Sequence, residues 1–261
     1  MSSQPSGTLT PPKAPTKGAT YAAPMPGDVT RGEPIRRMFA AIAERYDLAN
    51  SVLSVGMHHV WKKKLVRACD HILGARVLDC ASGTGDVAFE LEKAVGNGGE
   101  VTGSDFCAEM LQVAKRRAKE SGSHVQFEEA DLLALPYASS IFDAVTVSFG
   151  IRNVNRPEVA LTEMARVTRA GGKVVVMEFG SPHVWLWKSI YLFYSRRILP
   201  TIGGVVTGRA DAYRYLEASS LIFPSGADFV AMARRTGKFR TVDAQSLMGG
   251  VAWIYKMEVG T

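Results

Sequence analysis

The chain has little cysteine and no long apolar run. Its three cysteines show neither the spacing of a metal site nor the even number of a disulfide framework. They predict reduced, buried thiols in a cytosolic-type compartment, and no metal site is expected. Because no run of about 18 apolar residues occurs, no transmembrane helix is predicted. The first residues also lack the apolar core of a secretory signal.

An acidic excess is also missing. The chain has 31 Lys and Arg residues against 25 Asp and Glu residues, so its formal net charge is +6. A basic balance suits an anionic membrane, nucleic acid or an ordinary solvated surface. Nucleic-acid binding predicts cations interleaved with stacking aromatics, whereas the aromatics of 185–194 are mixed with aliphatic residues. We therefore expect no nucleic-acid partner.

The beginning of the chain is poor in large aliphatic residues and rich in Pro, Ser, Thr and Gly. Such a composition cannot bury enough apolar surface to offset chain entropy. We expect a disordered tail at 1–30 and a single domain at 31–261. An organellar targeting segment remains an alternative, because the tail is acid-poor and Ser-rich, although it lacks the expected arginines.

From about residue 77 onward, apolar periodicity predicts an α/β domain. Short apolar runs predict strands at 77–80, 100–104, 125–129, 142–148 and 173–179. Helical patterns predict helices at 35–46, 60–73 (ending at Gly74), 86–95, 107–121 and 157–168 (ending at a Gly171-Gly172 turn). Strands that alternate with helices are typical of a parallel sheet covered on both faces. Two alternating segments near the C-terminus, RTVDAQSL and VAWIYKM, predict a closing hairpin.

The most informative stretch reads VLDCASGTGDVAFEL, with Asp105 about one βα unit further on. Gly83 and Gly85 carry no Cβ and let the backbone approach a ligand, and Asp105 can accept both ribose hydroxyls. Asp86 lies where a pyrophosphate would dock and would repel it, which disfavours a nicotinamide dehydrogenase. Asp79 and Asp86 suit a cation such as S-adenosylmethionine, which has no phosphate. The stretch therefore predicts a nucleoside site, although Gly-x-Gly alone is often only a turn.

Further polar residues follow other predicted strands. Asp131 lies just after the third strand and can accept from an adenine amino group, and Ser148 ends the fourth strand. Ligands of open α/β sheets bind beyond the carboxyl ends of the strands. We therefore expect these residues to share one pocket with the glycine turn and Asp105.

A segment rich in aromatics interrupts the alternation at 183–206. Trp185 and Trp187 lie beside Lys188, and Arg196 and Arg197 follow among aliphatic residues. A buried helix of the fold and an amphipathic segment that contacts lipid or an apolar substrate both remain open.

Five stretches of this chain resemble one family. They are MFAAIAERYDLANSVLSVGMHHVWKK, VLDCASGTGDVAFEL, SFGIRNV, ALTEMARVTRAGGKVVVMEF and YRYLEASSLIFP. From about Met38 to Tyr255 the chain resembles the ubiquinone/menaquinone biosynthesis C-methyltransferases (the UbiE/MenG family). The resemblance implies a class I S-adenosylmethionine-dependent methyltransferase fold, Rossmann-like and mostly parallel with a C-terminal antiparallel hairpin. It also implies N-terminal helices over the active site and an aromatic-rich insertion near 183–225.

The implied reaction transfers a methyl group from S-adenosylmethionine to a ring carbon of a polyprenylated quinol. Demethylmenaquinol is the expected substrate. One alternative is 2-methoxy-6-polyprenyl-1,4-benzoquinol of ubiquinone biosynthesis. Another is a different small molecule, such as a sterol. We expect a cytoplasmic protein held peripherally at the inner face of the membrane by lipid contact. The sequence leaves a homodimer open.

The resemblance also implies site residues. Its S-adenosylmethionine contacts fall on Thr84, Asp105, Asp131, Leu132 and Ser148. Ala81 departs from the usual glycine of the strand-one turn, and RTGKF at 235–239 departs from the usual AGF.

Carbon methylation needs an electron-rich ring, so a phenolic proton must be taken or relayed. The family is thought to use the arginine of SFGIRN, here Arg152, which can hold a water or stabilise a phenolate. Asn153 is expected to orient Arg152 or the substrate. His58 is an alternative base because its ordinary pKa is about 6.5, with a structural role as the other interpretation. Tyr46 and Asp47 are further candidates for the proton transfer, on a segment expected to fold over the pocket, and a structural helix end is the alternative for them.

Overall fold

The computed structural model describes residues 32–45, 56–180, 215 and 218–261. A seven-stranded sheet with the order β3-β2-β1-β4-β5-β7-β6 organises this part of the chain. Its strands are β1 (Arg76–Cys80), β2 (Glu100–Asp105), β3 (Gln126–Glu129), β4 (Phe142–Ser148), β5 (Thr168–Phe179), β6 (Phe239–Leu247) and β7 (Ala252–Val259). Neighbours from β3 to β5 pair in parallel, whereas β7 pairs antiparallel with β5 and β6. The predicted mostly parallel sheet and C-terminal hairpin are confirmed.

The helices cover both faces of this sheet. They are α1 (Gly32–Ile42), α2 (Met57–Ala68), α3 (Asp86–Val95), α4 (Ala108–Ser121), α5 (Pro157–Val167) and α6 (Ala227–Arg235). Consecutive strand residues serve opposite faces, because side chains alternate along a strand. Val77 packs into the core beneath α2, α3 and α4, and the next residue, Leu78, packs into the core beneath α5 and α6.

The predicted end of α2 at Gly74 is wrong. The helix ends at Ala68, and the chain then turns through Asp70 and His71, which both have positive φ. Ile72 lies beyond the helix but is still buried in the same core as Leu65. The apolar periodicity therefore continues after the helical backbone has ended, and this explains the error.

A second boundary also differs from the prediction. The helix α5 ends at Val167, and β5 begins directly at Thr168, so the predicted Gly171-Gly172 turn lies inside the strand. Gly171 has a φ of 73°, and the β4–β5 register shifts between Phe142 and Ala144. The glycines thus mark a bulge, a common role of glycine within a strand.

Several expectations lie outside the described residues. They are the disordered tail at 1–30, Tyr46 and Asp47, and the aromatic-rich segment as far as 214. The division into a tail and one domain remains a prediction. Among the described residues, no helix is long and apolar enough to cross a membrane. The same residues contain no group of three or more His, Cys, Asp or Glu that could hold a metal ion.

Candidate functional site

A cleft opens at the carboxyl ends of β1, β2 and β4, where the parallel strands of the sheet end. Six residues selected from the sequence line it together: Gly83, Asp105, Asp131, Leu132, Ser148 and Asn153. The helix α1 closes one side of the cleft through Phe39, and Phe106 and Phe149 add aromatic surface. The shared pocket expected for the glycine turn, Asp105, Asp131 and Ser148 thus agrees with the geometry, with Gly83 as the residue of the turn that lines it.

The carboxylate of Asp105 lies at the centre of the cleft wall. Its Oδ2 accepts the backbone N–H of Gly83 at 2.9 Å, and its Oδ1 accepts that of Cys107 at 2.9 Å. Burial raises the pKa of Asp105 to about 6, although these backbone hydrogen bonds oppose the shift. The carboxylate is therefore mostly ionised at neutral pH. Each oxygen keeps a second lone pair for a ligand hydroxyl.

Asp79 lies at the end of β1 but does not line the cleft. It is fully buried and accepts the hydroxyl hydrogen of Thr146 at 2.6 Å. Its second carboxylate oxygen has no hydrogen-bond partner among the described residues. Burial raises the pKa of Asp79 to about 7, the Thr146 hydrogen bond opposes this, and the nearby Asp105 adds to it.

Asp79→Asn should change how stability depends on pH. The carboxyl group ionises at 3.8 when unfolded and at about 7 when folded, so raising the pH across this window favours the unfolded chain. The asparagine removes this penalty and keeps an acceptor for Thr146. The difference in free energy of unfolding between the variant and wild type should therefore shift in favour of the variant by about 2–3 kcal/mol from pH 5 to pH 8.

Urea unfolding at several pH values measures this difference. Asp143→Asn is the control, because the Asp143 carboxylate is paired with Arg169 at the surface and its pKa is lowered rather than raised. Parallel pH curves for wild type and Asp79→Asn would contradict the buried ionisation.

The two glycines of the turn have different structural roles. Gly83 has a φ of 57° and lines the cleft, as a close approach to a ligand requires. Gly85 has a φ of 91° and does not line the cleft; a Cβ there would lie 2.7 Å from the ring of Phe127. Its missing side chain accommodates packing instead. Thr84 is buried and offers its carbonyl oxygen to Arg117 at 2.9 Å, away from the cleft lining.

The role expected for Asp86 needs correction. This residue begins α3, but its carboxylate is bound by Lys62 and by Arg117, whose Nη2 lies 2.7 Å from Oδ1. Burial alone would raise the pKa of Asp86, but the two cations lower it below its ordinary value. The charge is thus neutralised outside the cleft lining. It neither attracts a cationic ligand there nor repels a pyrophosphate.

Asp131 and Ser148 both line the cleft, as expected from the sequence, and both can accept hydrogen bonds from a ligand. The Oδ1 of Asp131 accepts the backbone N–H of Leu133 at 2.8 Å, and the exposed side chain leaves its second oxygen open to a ligand amine. Leu132 is buried beside it and presents apolar surface. Ser148 ends β4 at the opposite wall.

Arg152 is held in a buried ion pair beside the cleft. Its Nη1 donates to Oε1 of Glu178 at 2.7 Å and to the carbonyl oxygen of Phe149 at 2.5 Å. The guanidinium also lies 5.3 Å from the centre of the Phe179 ring. Arg152 does not line the cleft itself, but it is anchored to Phe149, which does. Phe149 therefore separates the Arg152 guanidinium from the cleft.

Asn153 is the residue of this segment that reaches the cleft. Its Oδ1 accepts the hydroxyl hydrogen of the buried Tyr215 at 3.2 Å. With the amide oxygen so engaged, the amide nitrogen is oriented away from Tyr215 and offers donors to a ligand. Asn153 therefore lines the cleft, and its role in orienting Arg152 or the substrate stays a prediction.

His58 does not line the cleft. It is buried in the first turn of α2, next to His59, with ring centres 3.8 Å apart. Burial, followed by the nearby Lys62 and His59, lowers the pKa of His58 to about 4. A base with this pKa is poorly matched to proton transfer near neutral pH.

Two non-glycine residues at the cleft adopt a left-handed backbone. Ala81 has a φ of 50° and Phe149 a φ of 55°. Such a conformation costs about 1–2 kcal/mol for an L-residue, and for a bulky aromatic it is a true outlier. The ring of Phe149 stacks on Phe179 at 4.2 Å, which helps to hold the strained backbone. Strain of this kind is concentrated at functional sites.

Some residues of this region escaped the sequence analysis. Glu178 is an interior residue of an apolar strand, and Phe39 belongs to a helix far from the glycine turn in sequence. Only the charge of Glu178 within a buried strand could have identified it, because such a charge requires a partner. For Phe39 the signal was the resemblance of its stretch to the family, which implied N-terminal helices over the active site.

Comparison with known proteins identifies the chain. Residues 28–257 match the ubiE/COQ5 methyltransferase family. The chain belongs to this family. The predicted family, methyltransferase class and S-adenosylmethionine cofactor are thereby confirmed.

Individual relatives agree over most of their length. The chain is 51% identical to the ubiquinone/menaquinone biosynthesis C-methyltransferase UbiE of Bdellovibrio bacteriovorus, covering 86% of this chain and 95% of that protein. It is 42% identical to the demethylmenaquinone methyltransferase of Deinococcus radiodurans, covering 81% and 87%. A crystal structure of an S-adenosylmethionine-dependent methyltransferase from Aquifex aeolicus superposes with a TM-score of 0.57 at 16% identity, covering 76% of this chain and 89% of that one. At this identity the structural likeness shows the fold alone.

The residues at the cleft fit S-adenosylmethionine. Asp105 keeps two lone pairs for the ribose hydroxyls, and Gly83 brings the backbone close without a side chain. Leu132 and Phe106 offer apolar surface for the adenine ring, and Asp131 offers an acceptor for its amino group. The chemistry of the donor and acceptor set thus suits an uncharged ribose and purine.

Proposed function

We propose that the protein methylates a ring carbon of a polyprenylated quinol, with demethylmenaquinol as the substrate. The proposal rests on the cleft that brings Asp105, Asp131 and Ser148 together with Asn153, within a chain whose relatives include demethylmenaquinone methyltransferases. The cofactor residues and the substrate-side residue share this cleft. A ring bound beside Asn153 would therefore lie next to the methyl donor.

When bound, S-adenosylmethionine supplies an electrophilic methyl group on a positively charged sulfur. The chain supplies the geometry. Asp105 binds the ribose, Asp131 accepts from the adenine amino group, and Ser148 with the Gly83 backbone completes the wall between them. Fixing donor and ring in one orientation accounts for much of the acceleration in a two-substrate reaction.

The substrate side must favour loss of a phenolic proton. Asn153 can donate a hydrogen bond to a phenolic oxygen from the cleft wall. Arg152 lies behind this wall with its charge paired to Glu178, and we expect it to act on the developing phenolate as the positive end of this ion pair, held next to Phe149 of the cleft lining. Arg152 cannot act as an ordinary base, because it does not lose its proton in proteins. With Arg152 and His58 both unsuited as bases, we propose that a water molecule in the cleft takes up the phenolic proton.

The benzoquinol of ubiquinone biosynthesis is the second candidate substrate. The B. bacteriovorus relative carries both pathways in its name, so the family spans both rings. Quinone profiling of a strain that lacks the gene distinguishes them. Accumulation of demethylmenaquinone supports the proposal, whereas accumulation of the demethylated benzoquinone with normal menaquinone would move the protein to the second pathway.

Methyl transfer should require the reduced ring. A quinol donates electron density to the carbon next to its hydroxyl, and an oxidised quinone does not. Product formation from the quinone substrate should therefore depend on a reductant such as dithionite. The measurement is methylated product by chromatography under anaerobic reducing and under oxidising conditions. Equal rates in both would contradict the quinol mechanism.

The apolar tail of such a substrate keeps it in a membrane, so we propose that the protein is cytoplasmic and associates peripherally with the inner face of the membrane. The aromatic and basic residues of 185–199 support this proposal from the sequence, although they lie outside the described residues. Aromatic rings beside cations are typical of membrane-interface segments.

A further inference from the structure

The outer side of α2 carries a stripe of exposed cations. Val60, Lys63, Lys64 and Arg67 follow one another at helical spacing, and all four are exposed. Residues three and four apart lie on the same side of a helix, so these four form one continuous surface. The opposite side of the same helix is buried, with Trp61 among the core residues.

This basic stripe (Val60, Lys63, Lys64 and Arg67) is not neutralised by acids. The helix α2 contains no acidic residue, and the three cations of the stripe form no ion pair with any residue that the structure describes. Most acids of adjoining elements are already paired with other cations: Asp70 with Lys256, Asp86 with Lys62 and Arg117, and Glu90 with Lys93. Glu92 lies in the same surface depression as Lys63 and accepts the backbone N–H of His124. The stripe therefore presents three exposed cations against one nearby acid that pairs with no cation of the described part of the chain.

Two exposed apolar side chains lie in or near the stripe in sequence. Leu73 is 82% exposed and Val60 is 47% exposed, more than any other large apolar side chain among the described residues. Leu73 lies in the turn after α2, and Val60 lies in its first half. Cations flanked by exposed aliphatic side chains suit an anionic bilayer, where the cations meet headgroups and the aliphatic groups enter the interface.

The stripe is also close to the cleft. The ring of Trp61, on the buried side of α2, lies 6.3 Å from that of Phe149, which lines the cleft. A helix with its side chains is about 10 Å across. A membrane that contacts the stripe would therefore lie roughly one helix diameter from the cleft wall.

We propose that the basic stripe of α2 is a membrane-docking surface for anionic phospholipids. By docking, the stripe would hold the cleft close to the lipid in which a substrate with an apolar tail resides. This positioning role rests on the proposed function. The stripe acts independently of 185–199. Because its cations are exposed, docking should weaken as ionic strength rises.

Vesicle sedimentation tests the proposal on the full chain. The probes are phosphatidylcholine vesicles with and without phosphatidylglycerol, at low and at high salt. The variant K63A/K64A/R67A removes the charge of the stripe. The matched control K115A/K119A/K238A removes the same charge from exposed lysines on α4 and before β6. All six side chains are exposed, so both variants should fold, which circular dichroism checks.

Wild type should bind the anionic vesicles at low salt and should not bind the neutral vesicles. Each cation near an anionic surface strengthens binding by roughly fivefold, so the stripe variant should bind about 100-fold more weakly. The control should lose less than threefold. Turnover of a short-tailed, water-soluble quinol should be the same in all three proteins, which tests the proposed reaction separately from docking.

Three outcomes would overturn the proposal. Wild type could fail to bind anionic vesicles at low salt. Both variants could lose affinity equally, which would make net charge alone responsible. Full binding by the stripe variant, with loss in W185A/W187A, would assign docking to 185–199 alone.

Discussion

Arg152→Ala is expected to lower turnover by about 10²- to 10³-fold, the usual loss when one preorganised donor or dipole that stabilises the transition state is removed. Cofactor affinity should change little, because Arg152 lies behind Phe149 and not among the residues that would bind the nucleoside. Stability should also fall, by about 3–5 kcal/mol, since the buried carboxylate of Glu178 loses its partner. Single-turnover kinetics, cofactor titration and urea unfolding measure the three effects.

A paired variant separates the two roles of Arg152. R152M/E178Q removes the buried charges together, so its stability should recover towards that of wild type. If Arg152 contributes its charge to the reaction, turnover should stay low despite the restored fold. Full activity in the paired variant would show that the ion pair serves packing alone.

His58→Ala provides a second comparison on the substrate side. His58 does not line the cleft, and burial lowers its pKa to about 4. Turnover of this variant should stay near that of wild type, and the pH profiles of the two proteins should have the same shape. A folded but inactive His58→Ala protein together with an active Arg152→Ala protein would transfer the proton role to His58.

Asp105→Ala should weaken S-adenosylmethionine binding by roughly 2–4 kcal/mol, about 30- to 1,000-fold, because charge-assisted hydrogen bonds to the ribose are lost. The structure adds a second cause. The backbone N–H groups of Gly83 and Cys107 lose their acceptor, so the glycine turn itself should loosen. Isothermal titration calorimetry measures the affinity, and thermal unfolding shows whether the variant remains folded.

Glu129→Ala is the matched control for this experiment. Glu129 lies directly beside Asp105 in the β2–β3 register, but it is exposed and does not line the cleft. Its removal should change the affinity less than twofold, since surface substitutions away from special features have small effects. Unchanged affinity in a folded Asp105→Ala protein would contradict the ribose assignment.

The sequence predicted the bounds of an element well where the apolar periodicity stops at the same residue as the regular backbone. The strand β4 and the helix α3 have the bounds expected from the sequence, because each is limited by residues that start or stop a regular pattern. The end of α2 was missed because Ile72 continues the apolar spacing from a non-helical backbone. Periodicity reports which residues are buried and only indirectly which backbone carries them.

The cleft was partly predictable for a different reason. Strand order places Asp105, Asp131 and Ser148 at one edge of a parallel sheet, and this much follows from the alternation of elements. Side-chain pairing across distant segments does not. The partner of Arg152 is Glu178, 26 residues away on the next strand of the sheet, and Asp86 is bound by Lys62 from a helix before the sheet. Such pairs depend on packing angles that no local pattern encodes.

The wall of the cleft has room for one methyl group where the turn after β1 meets the segment after β4. Ala81 supplies that methyl group despite its left-handed backbone, and a Cβ added at Gly150 would lie 2.5 Å from the Cβ of Ala81. Ala81→Gly would remove the closest of these contacts, but Cγ2 of Val147 would still lie 3.2 Å from a Cβ added at Gly150. A side chain at position 150 therefore needs both a glycine at position 81 and a small shift of Val147.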